Sequence, residues 1–413
     1  MGKNLKVINI NGALIALYPI KGLRVVGINV RLRTGSWYER GSNWGKAHLL
    51  EHMLFQGTKK FIDRPAIEIF KEENGIWNNA GTSGAQLLMS LRMPSESLKA
   101  GLNLMDEMLF KASIPEERIS DVKKIITQEY EDKWSRPEVR FDCKIDEQFF
   151  GKNHVYVRDG IGELKYVKKI TRQELVDYQK EMIVPANMSI GIAGNFDIEK
   201  AEEELRSILF FKGNSAAIDF DKVKPNTKRL IHFEAGMKSV NINMGWLTKG
   251  IKETLLEDRL KISIASYLLG GSTRSLLFKK IREEMGIAYG ICTNYELYPS
   301  VSRFCVQTSI SPEKIEELLM EVHILIEKFI SESIDKEVFR RAKKYLIMQK
   351  QMSYESSMGT AEILSSSLFW EGRIISPEEY SKLLEKISED EVRVMVKEIF
   401  LGEKPLIAIM RSK

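Results

Sequence analysis

Two histidines and a glutamate share five consecutive positions, His48-Leu49-Leu50-Glu51-His52, in a segment KAHLLEHMLFQGT bounded by Gly45 and Gly57. On a helix, positions i, i+3 and i+4 lie on one face, so the three polar side chains project together. Two imidazoles one turn apart can grip one Zn²⁺, and the carboxylate between them can reach water at the metal. The order is H-x-x-E-H, the inverse of the commoner H-E-x-x-H. With only five histidines in 413 residues, chance yields this pattern in well under ~1% of such chains. A catalytic zinc needs a third protein ligand and one open position. His154, His232 and His323 stand in unremarkable contexts, so a carboxylate is the expected donor. The segment 115–134 offers Glu116, Glu117, Glu129 and Glu131, and spacing does not choose among them.

That segment, PEERISDVKKIITQEYEDKW, reads as a helix. Pro115 suits a first turn, acids cluster near the start, and Ile119, Val122, Ile126 and Tyr130 recur at helical spacing. QLLMSLRM (86–93) and RFCVQTSI (303–310) are short alternating runs and read as strands. Consecutive strands without regular βαβ alternation predict an α+β fold with mostly antiparallel sheets packed against helices. The chain also repeats itself. VVGINVRLRT at 25–34 is matched by SVNINMGWLT at 239–248, and SIPEERISDVKKII at 113–126 by SIDKEVFRRAKKYL at 333–346, offsets of 214 and 220. HMLFQGT at 52–58 faces YLLGGST at 267–273. Thr171 with Glu174 and Ser388 with Glu391 each form a capping box, and each predicted helix runs on to a late strand, at 188–194 and 406–411. A duplicated domain is the economical reading, with halves at 1–212 and 229–413 and a polar linker at 213–228.

The composition, with 43% hydrophobic residues, 29% charged residues and a net charge of +5, is that of a soluble globular protein. No basic stripe interleaved with aromatics argues for nucleic acid. No apolar run approaches the roughly 18 residues of a membrane span, and the N-terminus has no signal-peptide pattern. Three cysteines, Cys143, Cys292 and Cys305, rule out a disulfide framework and fit a reducing, cytoplasmic setting.

The stretch GSWYERGSNWGKAHLLEHMLFQGTKKF resembles the signature block of the M16 zinc metallopeptidases, the insulinase, pitrilysin and mitochondrial-processing-peptidase group, in its shorter bacterial form. The resemblance implies a third metal ligand some 75 residues beyond the second histidine. It thereby selects Glu129, which follows His52 by 77 positions. Many relatives carry an acid seven positions before that ligand, where this chain has Val122. A second block, LLGGSTRSLLFKKIREEMGIAYGI (268–291), is similar to the family segment whose Arg and Tyr reach the active site, here Arg282 and Tyr289. Asn79-Ala80-Gly81-Thr82 looks like the strand on which relatives hold an extended substrate, which would make Asn79 and Ala80 substrate-binding; the residues alone equally suggest a turn. At the repeat offsets, His48, Glu51, His52 and Glu129 fall on Ser263, Ser266, Tyr267 and Gln349, so one zinc site per chain is expected. The resemblance thus implies a zinc endopeptidase of peptides or unfolded segments, with Glu51 as the base and Arg282 and Tyr289 assisting. It further implies half of a four-domain clamshell completed by a homodimer, or by a heterodimer with a related chain. The alternative is a non-catalytic, peptide-binding or scaffold subunit of the same fold.

Overall fold

A computed structural model describes residues 4–41, 44–216, 220, 223, 229–234 and 239–411. The strands are β1 (Lys6–Ile10), β2 (Ala13–Pro19), β3 (Val25–Leu32), β4 (Trp77–Thr82), β5 (Leu87–Pro94), β6 (Met188–Gly194), β7 (Leu230–Glu234), β8 (Val240–Lys249), β9 (Ala288–Glu296), β10 (Val301–Ile310) and β11 (Leu406–Arg411). The helices of the first half are α1 (Lys46–Met53), α2 (Arg64–Glu73), α3 (Leu98–Phe110), α4 (Glu116–Ser135), α5 (Pro137–Phe150), α6 (Leu164–Val167), α7 (Arg172–Met182) and α8 (Ile198–Ile208). They are followed by α9 (Leu256–Gly270), α10 (Ile315–Ser331), α11 (Lys336–Met352), α12 (Ser357–Glu371), α13 (Pro377–Lys386) and α14 (Glu389–Gly402). The expected strands at 86–93 and 303–310 and the expected helix at 115–134 are therefore present. Both capping boxes form, at the starts of α7 and α14.

One sheet has the order β1-β2-β6-β3-β5-β4 and the other β7-β11-β8-β10-β9. Leaving out β1, the two orders correspond strand for strand. Each sheet contains one parallel pair, β2 with β6 and β7 with β11, among antiparallel neighbours. The repeat seen in the sequence is thus a repeat of topology, and the fold is the expected α+β with mostly antiparallel sheets.

The chain divides into two compact units, and each borrows a segment from the other half of the sequence. The first comprises Met1–Ser135, Arg158–Asp219 and Gln351–Ser376; the second comprises Arg136–Val157, Phe220–Lys350 and Pro377–Lys413. The contiguous halves 1–212 and 229–413 are therefore interleaved: α12 belongs with the first sheet and α5 with the second. Most of the expected linker 213–228 lies outside the described residues.

Period-2 alternation explains the exchange. On β3, Val26, Ile28, Val30 and Leu32 face a core shared with α1, α3, α4 and α7. The alternate positions face α12, through the small residues Ala16 and Ala193 and two glycines. A Cβ on Gly27 would stand 2.8 Å from the Cα of Met358, and one on Gly191 would stand 2.0 Å from the carbonyl oxygen of Ala361. Arg31 Nε donates to Ser365 Oγ at 3.1 Å, and Arg33 Nη2 donates to the carbonyl of Phe369 at 2.6 Å. A sheet covered on both faces needs near-continuous apolar or small residues, as β3 and β6 have. In the second unit, Arg303 of β10 plays the matching role toward α5. It pairs with Asp146 at 2.7 Å and its Nε donates to Glu296 at 3.0 Å, while a Cβ on Gly245 would meet the ring of Phe149 at 2.5 Å.

This close packing predicts that Gly191→Ala destabilises the protein by about 1–3 kcal/mol, because a methyl group must displace α12 from the sheet. A lowered denaturant midpoint, with the far-UV spectrum retained, is the expected result.

Candidate metal centre

Helix α1 is buried on almost every side: Leu49, Leu50 and Met53 enter the core, while His48 and Glu51 are only 9% and 8% exposed. Buried polar groups need partners. The entry to α1 has no cap of its own, since its N-cap residue is Gly45 at φ 113 and no acid lies in the first turn. Glu39 supplies what is missing, accepting hydrogen bonds from the backbone N–H groups of Gly45 at 2.9 Å and Ala47 at 2.6 Å. The exit is held by another buried carboxylate, Glu107 of α3, which accepts from Thr58 Oγ1 at 2.8 Å and from the N–H of Lys60 at 3.0 Å.

Between these two anchors, α1 meets α4. The Nε2 atoms of His48 and His52 lie 3.2 Å apart, and Glu129 Oε2 lies 3.6 and 3.5 Å from them. A tetrahedral zinc with bonds of about 2.0–2.1 Å sets its ligand atoms about 3.3–3.4 Å apart. The triangle therefore fits a zinc ion, and two imidazoles with one carboxylate are a donor set that zinc accepts. Among the described residues this is the one group of three or more His, Cys, Asp or Glu side chains converging in this way. Of the four glutamates that spacing left open, Glu129 is the one brought to the histidines. His154, His232 and His323 belong to the second unit.

The electrostatics suit metal binding. Burial, the neighbouring His52 and the Lys133 cation push His48 down to about 3, and burial also lowers His52 against the pull of Glu129. Both imidazoles are thus held neutral, as ligation requires. Burial raises the Glu51 carboxyl to about 7, opposed by a hydrogen bond from Thr82 and reinforced by the nearby Glu129. Val122 stands two turns before Glu129 on the same face of α4 and is packed into the core. His48 Nδ1 is buried with no hydrogen-bond partner among the described residues.

Asn79-Ala80-Gly81-Thr82 is the strand β4, not a turn, and it forms one edge of the first sheet, paired on one side only with β5. Its last residue, Thr82, donates from Oγ1 to Glu51 Oε2 at 2.8 Å. Asn79 and Ala80 thus lie on the strand that also touches the helix bearing the acid. Arg282 and Tyr289 belong to the second unit, where they meet each other. The Arg282 guanidinium lies 5.3 Å from the Tyr289 ring centroid, and Tyr289, near the start of the edge strand β9, is 88% exposed. Also in that unit, at the positions matching the site, Ser266 Oγ donates to Thr293 Oγ1 of β9 at 3.0 Å, and Tyr267 stacks on Tyr345. Helix and edge strand are hydrogen-bonded there too, through a different strand position and without a carboxylate. Glu39, Glu107 and the Thr82 contact were not foreseen. Glu39 caps α1 from six residues upstream, and Glu107 and Thr82 reach its surroundings from more distant segments.

Fold and site together define a protein of two repeated α+β units with one converging His-His-Glu group among the described residues. Residues 19–156 match the insulinase domain of peptidase family M16, and residues 169–346 match the peptidase M16 inactive domain. An uncharacterized zinc protease of Rickettsia felis is 25% identical over 94% of this chain and 93% of its own. The mitochondrial-processing peptidase subunit beta of Dictyostelium discoideum is 23% identical, over 93% and 84%. A crystal structure of a peptidase M16 inactive domain from Pseudomonas fluorescens has the same fold, with TM-score 0.88, 18% identity and coverage of 99% of this chain and 98% of that one. The chain belongs to peptidase family M16. No helix among the described residues is long and apolar enough to cross a membrane.

One titration follows from the burial of His48. An unfolded imidazole takes up its proton near 6.5, but the folded one does so only near 3. In that window the unfolded state binds more protons, so the stability of the metal-free protein should decline as pH falls from about 6.5 toward 3. In nitrogen NMR, the His48 imidazole should remain neutral at pH 5; protonation there would contradict the assigned environment.

Proposed function

We propose that this chain is a zinc-dependent endopeptidase acting on peptides or unfolded segments. The observation that carries the proposal is the 3.2–3.6 Å triangle of His48, His52 and Glu129, with Glu51 on the same helix. These three residues would hold one zinc ion per chain, since the matching positions in the second unit are Ser263, Ser266, Tyr267 and Gln349. When bound, the ion supplies Lewis acidity that polarises a carbonyl and lowers the pKa of water. Glu51 takes the proton from the attacking water and passes it to the leaving amine. A carboxyl raised to about 7 is matched to both halves of that task near neutral pH. Thr82 holds one oxygen of this carboxylate, leaving the other to face the water.

The free edge of β4 takes the substrate as an added strand at Asn79 and Ala80, whose backbone groups provide the hydrogen bonds. Arg282 and Tyr289 act as donors to the substrate carbonyl and its oxyanion; a guanidinium beside a largely exposed phenol suits that role. We further propose a homodimer, with a heterodimer of related chains as the other arrangement, since one relative is named as a subunit of a processing peptidase. Three cysteines, Cys143, Cys292 and Cys305, an odd number without paired spacing, support a cytoplasmic setting.

Glu51→Gln should keep zinc near one ion per chain by metal analysis, yet lose turnover of a quenched peptide library by about 100- to 10,000-fold. Full activity in that variant would remove the mechanism. Thr82→Val should lower kcat about 10-fold with KM little changed, and Thr82→Ser should restore it, because only the hydroxyl orients the base.

A further inference from the structure

We infer that Glu39 is a positioning residue whose carboxylate fixes the start of α1 and thereby sets how His48, Glu51 and His52 are presented to Glu129. The inference rests on the zinc reading above for its functional half only.

Helix α1 has eight residues and carries three polar groups that must be placed to within a fraction of an ångström. So short a helix is marginal without tertiary support. Five helices of the chain begin with their own side-chain caps, Asp63 before α2, Thr171 before α7, Asp197 before α8, Ser356 before α12 and Ser388 before α14, whereas α1, like α3, α5, α6, α9 and α10, has none. Helix α1 begins with a left-handed glycine that has no side chain to offer. Glu39 reaches it from six residues upstream, one oxygen on the N–H of Gly45 and the other on that of Ala47. A carboxylate at this end also opposes the positive pole of the helix.

Glu39 is itself fixed from outside. It is 1% exposed, and the Arg158 guanidinium donates to its backbone carbonyl. The next residue, Asp159, accepts from Trp44 Nε1 at 2.9 Å through its carbonyl and pairs with Lys133 at 2.6 Å through its carboxylate. Lys133 lies one turn beyond Glu129 on α4. The segment 158–159 therefore ties the entry of α1 and the ligand-bearing part of α4 to one piece of backbone. Tight packing leaves this entry no slack: a Cβ on Gly162 would meet the Cα of Gly45 at 2.4 Å.

The arrangement is unfavourable for stability alone. Burial raises the Glu39 carboxyl to about 7, against the backbone N–H groups and Arg158 that favour its ionised form. Above that pH the ionised group costs folding free energy relative to a neutral one.

Glu39→Gln separates these roles in the full-length protein, because the amide keeps the volume but replaces one acceptor with a donor facing an N–H. In the metal-free variant, amide hydrogen exchange at Gly45 and Ala47 should speed up by roughly 10-fold or more. Competition against a chromogenic chelator should show zinc affinity weakened about 10-fold or more. The melting temperature of the metal-free variant at pH 8 should stay at or above that of the parent. Unchanged exchange at Gly45 and Ala47, or unchanged zinc affinity, or a zinc loss accompanied by a lowered melting temperature, would overturn the inference. If Glu39→Gln does not fold, Glu39→Asp, which keeps the charge but falls short of both N–H groups, should likewise speed exchange at Gly45 and Ala47 and weaken zinc binding, and no change in either would overturn the inference. A parent protein that binds no zinc would instead defeat the proposed function, while the exchange measurement would still decide the capping.

Discussion

Three electron-pair donors held within 3.6 Å of one another, the two histidines largely away from water and Glu129 partly exposed, form the constraint around which the first unit is built. Two neutral imidazoles and a carboxylate gain little from each other at that distance, and burial of the two histidines is costly. The surrounding structure must therefore hold them together. It does so by burying α1 on nearly all sides, anchoring its two ends on Glu39 and Glu107, and laying the long helix α4 alongside. Packing at the hydrophobic positions of α1 and α4 provides the rigidity that lets the polar positions stay unrelieved.

The two units show what this constraint adds to a common scaffold. Both have the same order of five strands, with the same parallel pair, and in both a helix residue and a threonine on the edge strand are hydrogen-bonded. In the first unit the helix residue is Glu51 and the threonine is Thr82. In the second they are Ser266 and Thr293. The second unit thus also joins this helix to its edge strand, two positions away along the strand and with no charged group. Tyr267 and Tyr345, stacked beside it, fill space with an aromatic pair where the first unit has a histidine on α1.

Much of this was legible from local patterns. Helical spacing put His48, Glu51 and His52 on one face, alternation located β5 and β10, and capping boxes located the starts of α7 and α14. Glu129 was selected only by resemblance, because four glutamates on one helix are equivalent until a partner helix chooses a face. The contribution of Glu39 was hidden for a related reason: a cap six residues upstream leaves no fixed spacing to recognise. The exchange of α5 and α12 was hidden because both read as ordinary helices in their own halves. What places α12 is the row of small residues on β2, β3 and β6, whose meaning depends on strands meeting across as many as 175 positions of sequence, as Leu14 meets Ser189. Val122 was visible as a departure, and the structure packs it into the core.

The exchange of α12 also bears on how the chain must be made. Synthesis runs from the N-terminus, and the first sheet is complete in sequence once β6 ends at Gly194. The helix that covers its second face does not begin until Ser357. For the intervening 162 residues of translation, the small-residue face formed by Ala16, Gly27, Gly191 and Ala193 has no cover of its own, so the nascent chain carries an exposed sheet face that only its far end can close.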